Sequence, residues 1–106
     1  MVIGIKGVSY KIRLLSKAAF IKKYKDEDVA LLDKSSRTMI FRKDHIKKNI
    51  VIHEVVHSFI DSLHLASCSD ISLHDFEEII CEMLEVHLMD INRTANEIMA
   101  YLKSVK

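Results

Sequence analysis

Three residues near the middle of the chain, His53, Glu54 and His57, form the pattern H-E-x-x-H within the stretch NIVIHEVVHSFIDSLH. Residues four apart on an α-helix project from the same face, about one turn from each other. Two histidines so placed can be neighbouring ligands of one tetrahedral zinc ion. The glutamate between them points toward the same site, where it can take a proton from water and pass it to a leaving amine. The pattern therefore predicts a hydrolytic zinc site with Glu54 as its general base.

A catalytic zinc ion usually needs a third protein ligand, and the sequence offers candidates after the motif. His64 is seven residues after His57, so on a continuous helix it lies two turns away, about 10 Å along the axis and out of reach. We expect it to be an exposed histidine. The other candidates are Glu77 and Glu78 in the segment SLHDFEEIICEMLE, where Glu82 follows one turn after Glu78 on the same face.

The elements that precede the motif are predicted to be strands and one short helix. The chain has no proline and only two glycines, both within its first seven residues. The alternating opening segment, from Val2 to about Leu15, predicts a strand, and Ser16 is expected to cap a short helix that ends near Tyr24. VALL and TMIF on either side of the turn-forming DKSSR predict a β-hairpin.

Two long helices are predicted to carry the candidate site. The first runs from about His45 to Leu65 with Asp44 as its N-cap, and the loop ASCSD follows it. The second begins at Ser72, whose S-x-x-D spacing fits a capping box, and runs toward the C-terminus with a bend near Asn92. Strands come first and helices after, which is typical of an α+β fold.

Length and composition predict a single domain over residues 1–106, and they limit its partners. A formal net charge of +1 gives no long-range attraction to nucleic acid, and no apolar run approaches the ~18 residues of a membrane span. Cys68 and Cys81 form no C-x-x-C pair, and the N-terminus does not have the pattern of a secretory signal. We expect a cytoplasmic protein that contacts neither nucleic acid nor a membrane directly; the sequence does not indicate its oligomeric state.

The order of a hairpin, HEVVH, a short loop and FEEIICEML resembles the small zincin metallopeptidases of the ImmA/IrrE type and their SprT-like relatives. These gluzincin-like proteins occur in bacteria, prophages and mobile elements, and the resemblance covers roughly residues 29–90. It implies a minimal zincin-like α+β domain, in which a small N-terminal sheet of about three strands packs on the HExxH helix and a long C-terminal helix. It further implies Zn²⁺ bound by His53, His57 and a downstream glutamate, with Glu54 as the catalytic base.

The resemblance also implies the source of the third ligand. In gluzincins this ligand is a glutamate from the helix after the loop, and in thermolysin-like enzymes a second acidic residue orients the first zinc histidine. Glu78 is preferred over Glu77 because Glu82 then lies at the matching spacing. The substrate implied is a protein or peptide, such as a repressor-like or host protein.

Other interpretations stay open from the sequence. The chain could be a non-enzymatic phage or mobile-element inhibitor on a zincin scaffold, or a helical domain in which the motif is incidental. If it is an enzyme, the strand RTMIF is expected to lie beside the cleft and to pair with an extended substrate. His74 and Tyr10 are the candidates for stabilising the oxyanion.

Overall fold

The computed structural model describes residues 1–24, 28–63 and 72–106, and within these ranges the protein is α+β, as predicted. Its elements in chain order are β1 (Val2–Ile5), β2 (Val8–Leu15), α1 (Lys17–Lys23), β3 (Ala30–Asp33), β4 (Thr38–Arg42), α2 (Lys48–Ser62), α3 (Leu73–Glu82) and α4 (Leu88–Val105). A 3-10 turn precedes α2, and a π-helical turn at Met83–His87 joins α3 to α4. No helix within the described ranges is long and apolar enough to cross a membrane.

The sheet has four strands, in the order β1-β2-β4-β3, where about three were expected. The difference arises because the opening segment is a hairpin rather than one strand. Lys6 and Gly7 both have positive φ values, 53° and 79°, as the two central residues of a tight type I′ hairpin turn require. Gly7 adopts this conformation without steric cost, and the two-residue turn reverses the direction of the chain.

Strand β4 (Thr38–Arg42), which carries TMIF of the predicted segment RTMIF, is an inner strand. It pairs in parallel with β2 and antiparallel with β3, and all five of its residues are buried. The expectation that this strand borders the cleft and pairs with a substrate is wrong, because its backbone groups are paired with strands on both sides. The edge strand of the hairpin is β3.

Helix α2 begins later than predicted, at Lys48, and Asp44 is not its N-cap. The Asp44 carboxylate instead accepts two hydrogen bonds from the guanidinium group of Arg42, at 3.0 and 2.7 Å. Lys47 occupies the cap position and makes no capping hydrogen bond through its side chain. A charge-assisted bidentate pair is stronger than one capping bond, which explains why the carboxylate turns toward the sheet.

One face of α2 packs on the sheet and on α4 to form the core. Val51, Val55 and Phe59, spaced four residues apart, are at most 3% exposed. The side chains that meet them come from the sheet and from α4, and they include Ile5, Met39, Phe41, Ile91, Ala95 and Ile98. A polar contact adds to this packing, since the buried Tyr10 hydroxyl donates to Asp61 Oδ2 at 2.6 Å and to the Ser58 carbonyl at 3.1 Å. The sheet and α4 therefore fix the position of the motif helix.

The C-terminal helical region differs in part from its prediction. Ser72 is the N-cap of α3, as expected, and its hydroxyl accepts a hydrogen bond from the Asp75 amide at 3.1 Å. The interruption is the π-helical turn at Met83–His87, not a bend near Asn92, where α4 is regular. The described helix α2 ends at Ser62; the predicted continuation to Leu65, the ASCSD loop, His64 and Cys68 lie outside the described residues.

Candidate functional site

The two motif histidines meet on the exposed face of α2. Nε2 of His53 and Nε2 of His57 are 3.0 Å apart, and their rings meet edge to face with centroids 4.6 Å apart. The four-residue spacing places them one turn apart on this face. The two Nε2 atoms are within hydrogen-bond distance, and which of them donates depends on the tautomers of the two rings.

This arrangement can be compared with the geometry that zinc requires. Two nitrogens each about 2.0–2.1 Å from a tetrahedral zinc ion would be about 3.3 Å apart. The observed 3.0 Å between the Nε2 atoms differs from this by a few tenths of an ångström. The separation of the two nitrogens is therefore close to that of two adjacent ligands of a zinc ion.

Glu54 lies between the two histidines in the sequence, and only 5% of its surface is exposed. Burial raises the pKa of its carboxyl group; the nearby His53 charge opposes this rise, and the negative charge of Asp28 adds to it. A carboxyl group with a raised pKa is better matched to proton transfer near neutral pH. The environment of Glu54 is thus that expected of a general base.

A shallow cleft lies beside these three residues, between α2 and the edge strand β3. One part of it has a volume of about 290 Å³ and is lined by Asp28, Asn49, His53 and Glu54, among others. A second part of about 320 Å³ continues along β3 and reaches Lys34 and His57. The open edge of β3 therefore borders the side chains that would carry the chemistry.

Asp28, Asn49 and Lys34 are cleft residues that sequence reasoning did not find. Asp28 precedes β3, and its carbonyl oxygen accepts a hydrogen bond from the buried Arg42 guanidinium at 3.0 Å. This bond fixes the start of the edge strand against β4. The only signal in the sequence is the position of these residues next to a predicted strand or the motif helix, and many surface residues share it.

The pKa of His57 is lowered, which favours its neutral form. Burial against the cleft is the largest cause, and the positive charges of His53 and Lys34 add to it. A neutral imidazole is the form that binds a metal ion. The electrostatics of the cleft therefore favour coordination at this position at neutral pH.

The predicted third ligand is not placed beside the histidine pair in this structure. Glu78 is exposed on α3, and among the described residues no three His, Cys, Asp or Glu side chains are grouped so that they could hold a metal ion. On α3, Phe76, Ile79 and Ile80 line a cavity shared with α2. An α-helix turns by about 100° per residue, so Glu78 lies on the side of α3 nearly opposite to the cavity. Glu77 lies about 110° around the helix axis from the side that faces the cavity. The choice between them, and the orienting role of Glu82, stay predictions.

The two candidates for stabilising an oxyanion lie in different environments. Tyr10 is fully buried beneath α2, and its hydroxyl is bonded to Asp61 and the Ser58 carbonyl, so the suggestion that it stabilises an oxyanion is wrong. His74 is exposed in the first turn of α3. The structure gives Tyr10 a packing role.

Comparisons of this chain with protein-family models, with curated proteins and with solved structures found no match.

Proposed function

We propose that the protein is a zinc-dependent peptidase with a zincin-like site. The observation that carries this proposal is the meeting of the His53 and His57 Nε2 atoms, 3.0 Å apart, beside the buried carboxyl group of Glu54. Two candidate ligand nitrogens and a candidate base from one helical turn form a compact set for hydrolysis, and their side chains line the cleft between α2 and β3. His53, His57 and a further ligand would hold the zinc ion, which would act as a Lewis acid toward a peptide carbonyl group.

The protein's own groups then have defined tasks. Glu54 takes a proton from the attacking water and returns it to the amine that leaves, and its raised pKa suits both steps. The free edge of β3 offers backbone N–H and C=O groups to an extended substrate segment, which adds to the sheet as a further antiparallel or parallel strand. The substrate is then a flexible protein segment or a peptide, since a folded helix cannot pair in this way.

The first test of the proposal is metal content. We expect about one zinc per chain, measured by elemental mass spectrometry after dialysis, with loss of that zinc in His57→Ala. Glu54→Gln should keep the zinc and lose cleavage of a library of internally quenched peptides. Zinc retained by His57→Ala, or an unchanged rate in Glu54→Gln, would contradict the assignment of these residues.

The third ligand is tested with the same measurement on matched variants. Glu77→Gln, Glu78→Gln and Glu82→Gln change exposed residues on one helix, so none should affect folding. The prediction that Glu78 is the ligand expects a loss of zinc affinity of about tenfold or more in that variant. A comparable loss only in Glu77→Gln would assign the role to Glu77.

A second candidate function is a non-enzymatic binding protein on the same scaffold. The observation that favours it is the exposed apolar surface of α3 and of the π-helical turn that follows, where Leu73 is 74% and Leu84 59% exposed. Large exposed apolar surfaces commonly mark interaction sites. If Glu54→Gln has no effect on any cellular function of the protein while substitutions on α3 abolish it, binding is the function.

A further inference from the structure

A regular stripe of apolar side chains is exposed along α3 and into α4. We call it the apolar stripe; its members are Leu73, Phe76, Ile80, Leu84 and Leu88, and their exposed fractions range from 42% to 74%. Their spacing of three or four residues keeps them on one side of the helical rod. In the part of the chain that the structure describes, no residue of α3 is buried. The stripe is therefore a surface that this fold leaves uncovered.

Four of these side chains also line a cavity between α3 and the motif helix. The cavity has a volume of about 390 Å³, and Ile52, Val56 and Ile60 of α2 form its opposite wall. Every side chain that lines it is apolar. A site of this chemistry offers water no hydrogen-bonding side chains, so its filling by apolar groups is favourable.

The segment that carries the stripe contains acidic residues but no Lys or Arg. Residues 72–90 contain no Lys or Arg, although the chain as a whole has 16 of them against 15 acidic residues. The acidic residues of this segment are Asp75, Glu77, Glu78, Glu82, Glu85 and Asp90. Glu77 and Glu82 lie about 110° to either side of the cavity direction, so they flank the stripe. An apolar surface with negative flanks selects an apolar partner with positive flanks.

We propose that the apolar stripe and its cavity dock a basic amphipathic helix of a partner protein. From Leu73 to Leu88 the stripe is about 23 Å long, which matches a helix of about 15 residues and exceeds what a small molecule in the cavity would cover. Apolar side chains at spacings of three and four on the partner helix enter the cavity, and its Lys or Arg residues meet the acidic flanks. A second copy of this chain is a poor occupant, because its own stripe has the same negative flanks.

This docking site does not depend on the peptidase proposal. Neither His53 nor His57 lines the cavity, which faces the adjacent side of α2. Binding of the partner helix is expected in Glu54→Gln and His57→Ala as in the unchanged protein. If the protein fails to bind zinc, the docking proposal is unaffected. If it fails to bind the partner helix, the peptidase proposal is unaffected.

The test uses two synthetic peptides of 15 residues with leucine at the same amphipathic positions. One carries lysine and the other glutamate at the remaining positions, and each is labelled for fluorescence anisotropy. We expect the lysine peptide to bind the full chain at least about tenfold more tightly than the glutamate peptide, with weakening as salt rises. Because the formal net charge is only +1, a general attraction of the whole protein for cations does not explain such a preference.

Matched variants locate the binding. Ile80→Ser with Leu84→Ser should weaken binding of the lysine peptide by about tenfold or more, because two apolar contacts are lost. Glu77→Lys with Glu82→Lys should also weaken binding of the lysine peptide. The controls Met89→Ser and Glu97→Lys change similar exposed residues that lie outside the cavity, and they should leave the binding unchanged. Circular dichroism verifies that each variant is folded.

Three outcomes would overturn the proposal. They are equal binding of the two peptides, equal effects of the cavity and control variants, and a stable dimer in light scattering that Ile80→Ser with Leu84→Ser converts to monomer. The last outcome would assign the stripe to self-association.

Discussion

The hydrogen bonds of Tyr10 lead to a prediction that distinguishes a role of this residue in packing from a role in catalysis. The Tyr10 hydroxyl is buried between β2 and α2 and donates to Asp61 Oδ2 at 2.6 Å and to the Ser58 carbonyl at 3.1 Å. Burial, with the Asp61 bond second, raises the pKa of Tyr10 far above its ordinary value of 10.0, which favours the neutral phenol. The substitution Tyr10→Phe removes the hydroxyl and keeps the ring that fills the core.

The size of the effect follows from these contacts. A hydrogen bond to a charged acceptor contributes about 1.5–3 kcal/mol to the free energy of unfolding, and one to a neutral carbonyl about 1 kcal/mol. The Asp61 side chain is 17% exposed and Arg37 Nε is 4.0 Å from its carboxylate, so part of its solvation remains after the substitution. We expect Tyr10→Phe to lose roughly 2–3 kcal/mol. For a domain of this size that loss lowers Tm by about 8–12 °C.

Urea unfolding followed by circular dichroism measures the loss directly. Combining Tyr10→Phe with Asp61→Asn in a double-mutant cycle should give a coupling energy of about 1–2 kcal/mol, since both changes remove the same bond. A loss below about 0.5 kcal/mol, the range of ordinary surface substitutions, would refute the reasoning. Zinc content and peptide cleavage of Tyr10→Phe should match those of the unchanged protein at a temperature where both are folded. A selective loss of cleavage would restore Tyr10 as a catalytic candidate.

Three further predictions concern buried charge and helix capping. The pKa of Glu54 in the folded protein is raised above 4.5, so folding favours the protonated carboxyl group, and the residue lowers stability as the pH rises above 4.5. We therefore expect Glu54→Gln to raise Tm at pH 7. Thermal unfolding measured over a series of pH values should show a smaller decline in Tm for this variant. Arg42→Met removes the buried guanidinium that holds Asp44 and the Asp28 carbonyl, and urea unfolding should show a loss of about 2–3 kcal/mol. Ser72→Ala removes the cap of α3 and should lower the protection of its first amides from hydrogen exchange by about 1 kcal/mol, with α2 unaffected.

The parts of the candidate site that depend on residues close together in the chain could be predicted from the sequence. The spacing of His53 and His57 determines their distance once the segment is helical, and this is a property of any α-helix. The Ser72 cap and the β3–β4 hairpin were found for the same reason, since both depend on residues within a few positions of each other. Local chemistry was a sufficient guide at these positions.

What the sequence did not reveal depends on residues that are distant along the chain. Asp44 has the composition of an N-cap, but Arg42 takes its carboxylate because β4 places that guanidinium beside it. The pattern of TMIF does not indicate that β4 is an inner strand, because the pairing of β4 with β2 joins residues that are distant along the chain. The hydrogen bond of Tyr10 to Asp61 and the exposure of Glu78 are likewise decided by how β2 and α3 pack. Competing interactions of this kind require the tertiary structure.

The surface of α2 links the two proposals. Val51, Val55 and Phe59 face the core, while Ile52, Val56 and Ile60 form a second apolar row directed to the cavity under α3. The polar row that carries His53 and His57 occupies what remains of the circumference. A helix with two apolar rows is most stable when other elements pack on both rows, because burial of apolar surface contributes about 25 cal/mol for each Å² removed from water. The sheet and α4 cover the first row closely, but α3 leaves about 390 Å³ of space over the second. Any partner that fills this space would pack against the same helix that carries the histidine pair, so its binding should be tested for an effect on zinc affinity as well as on stability.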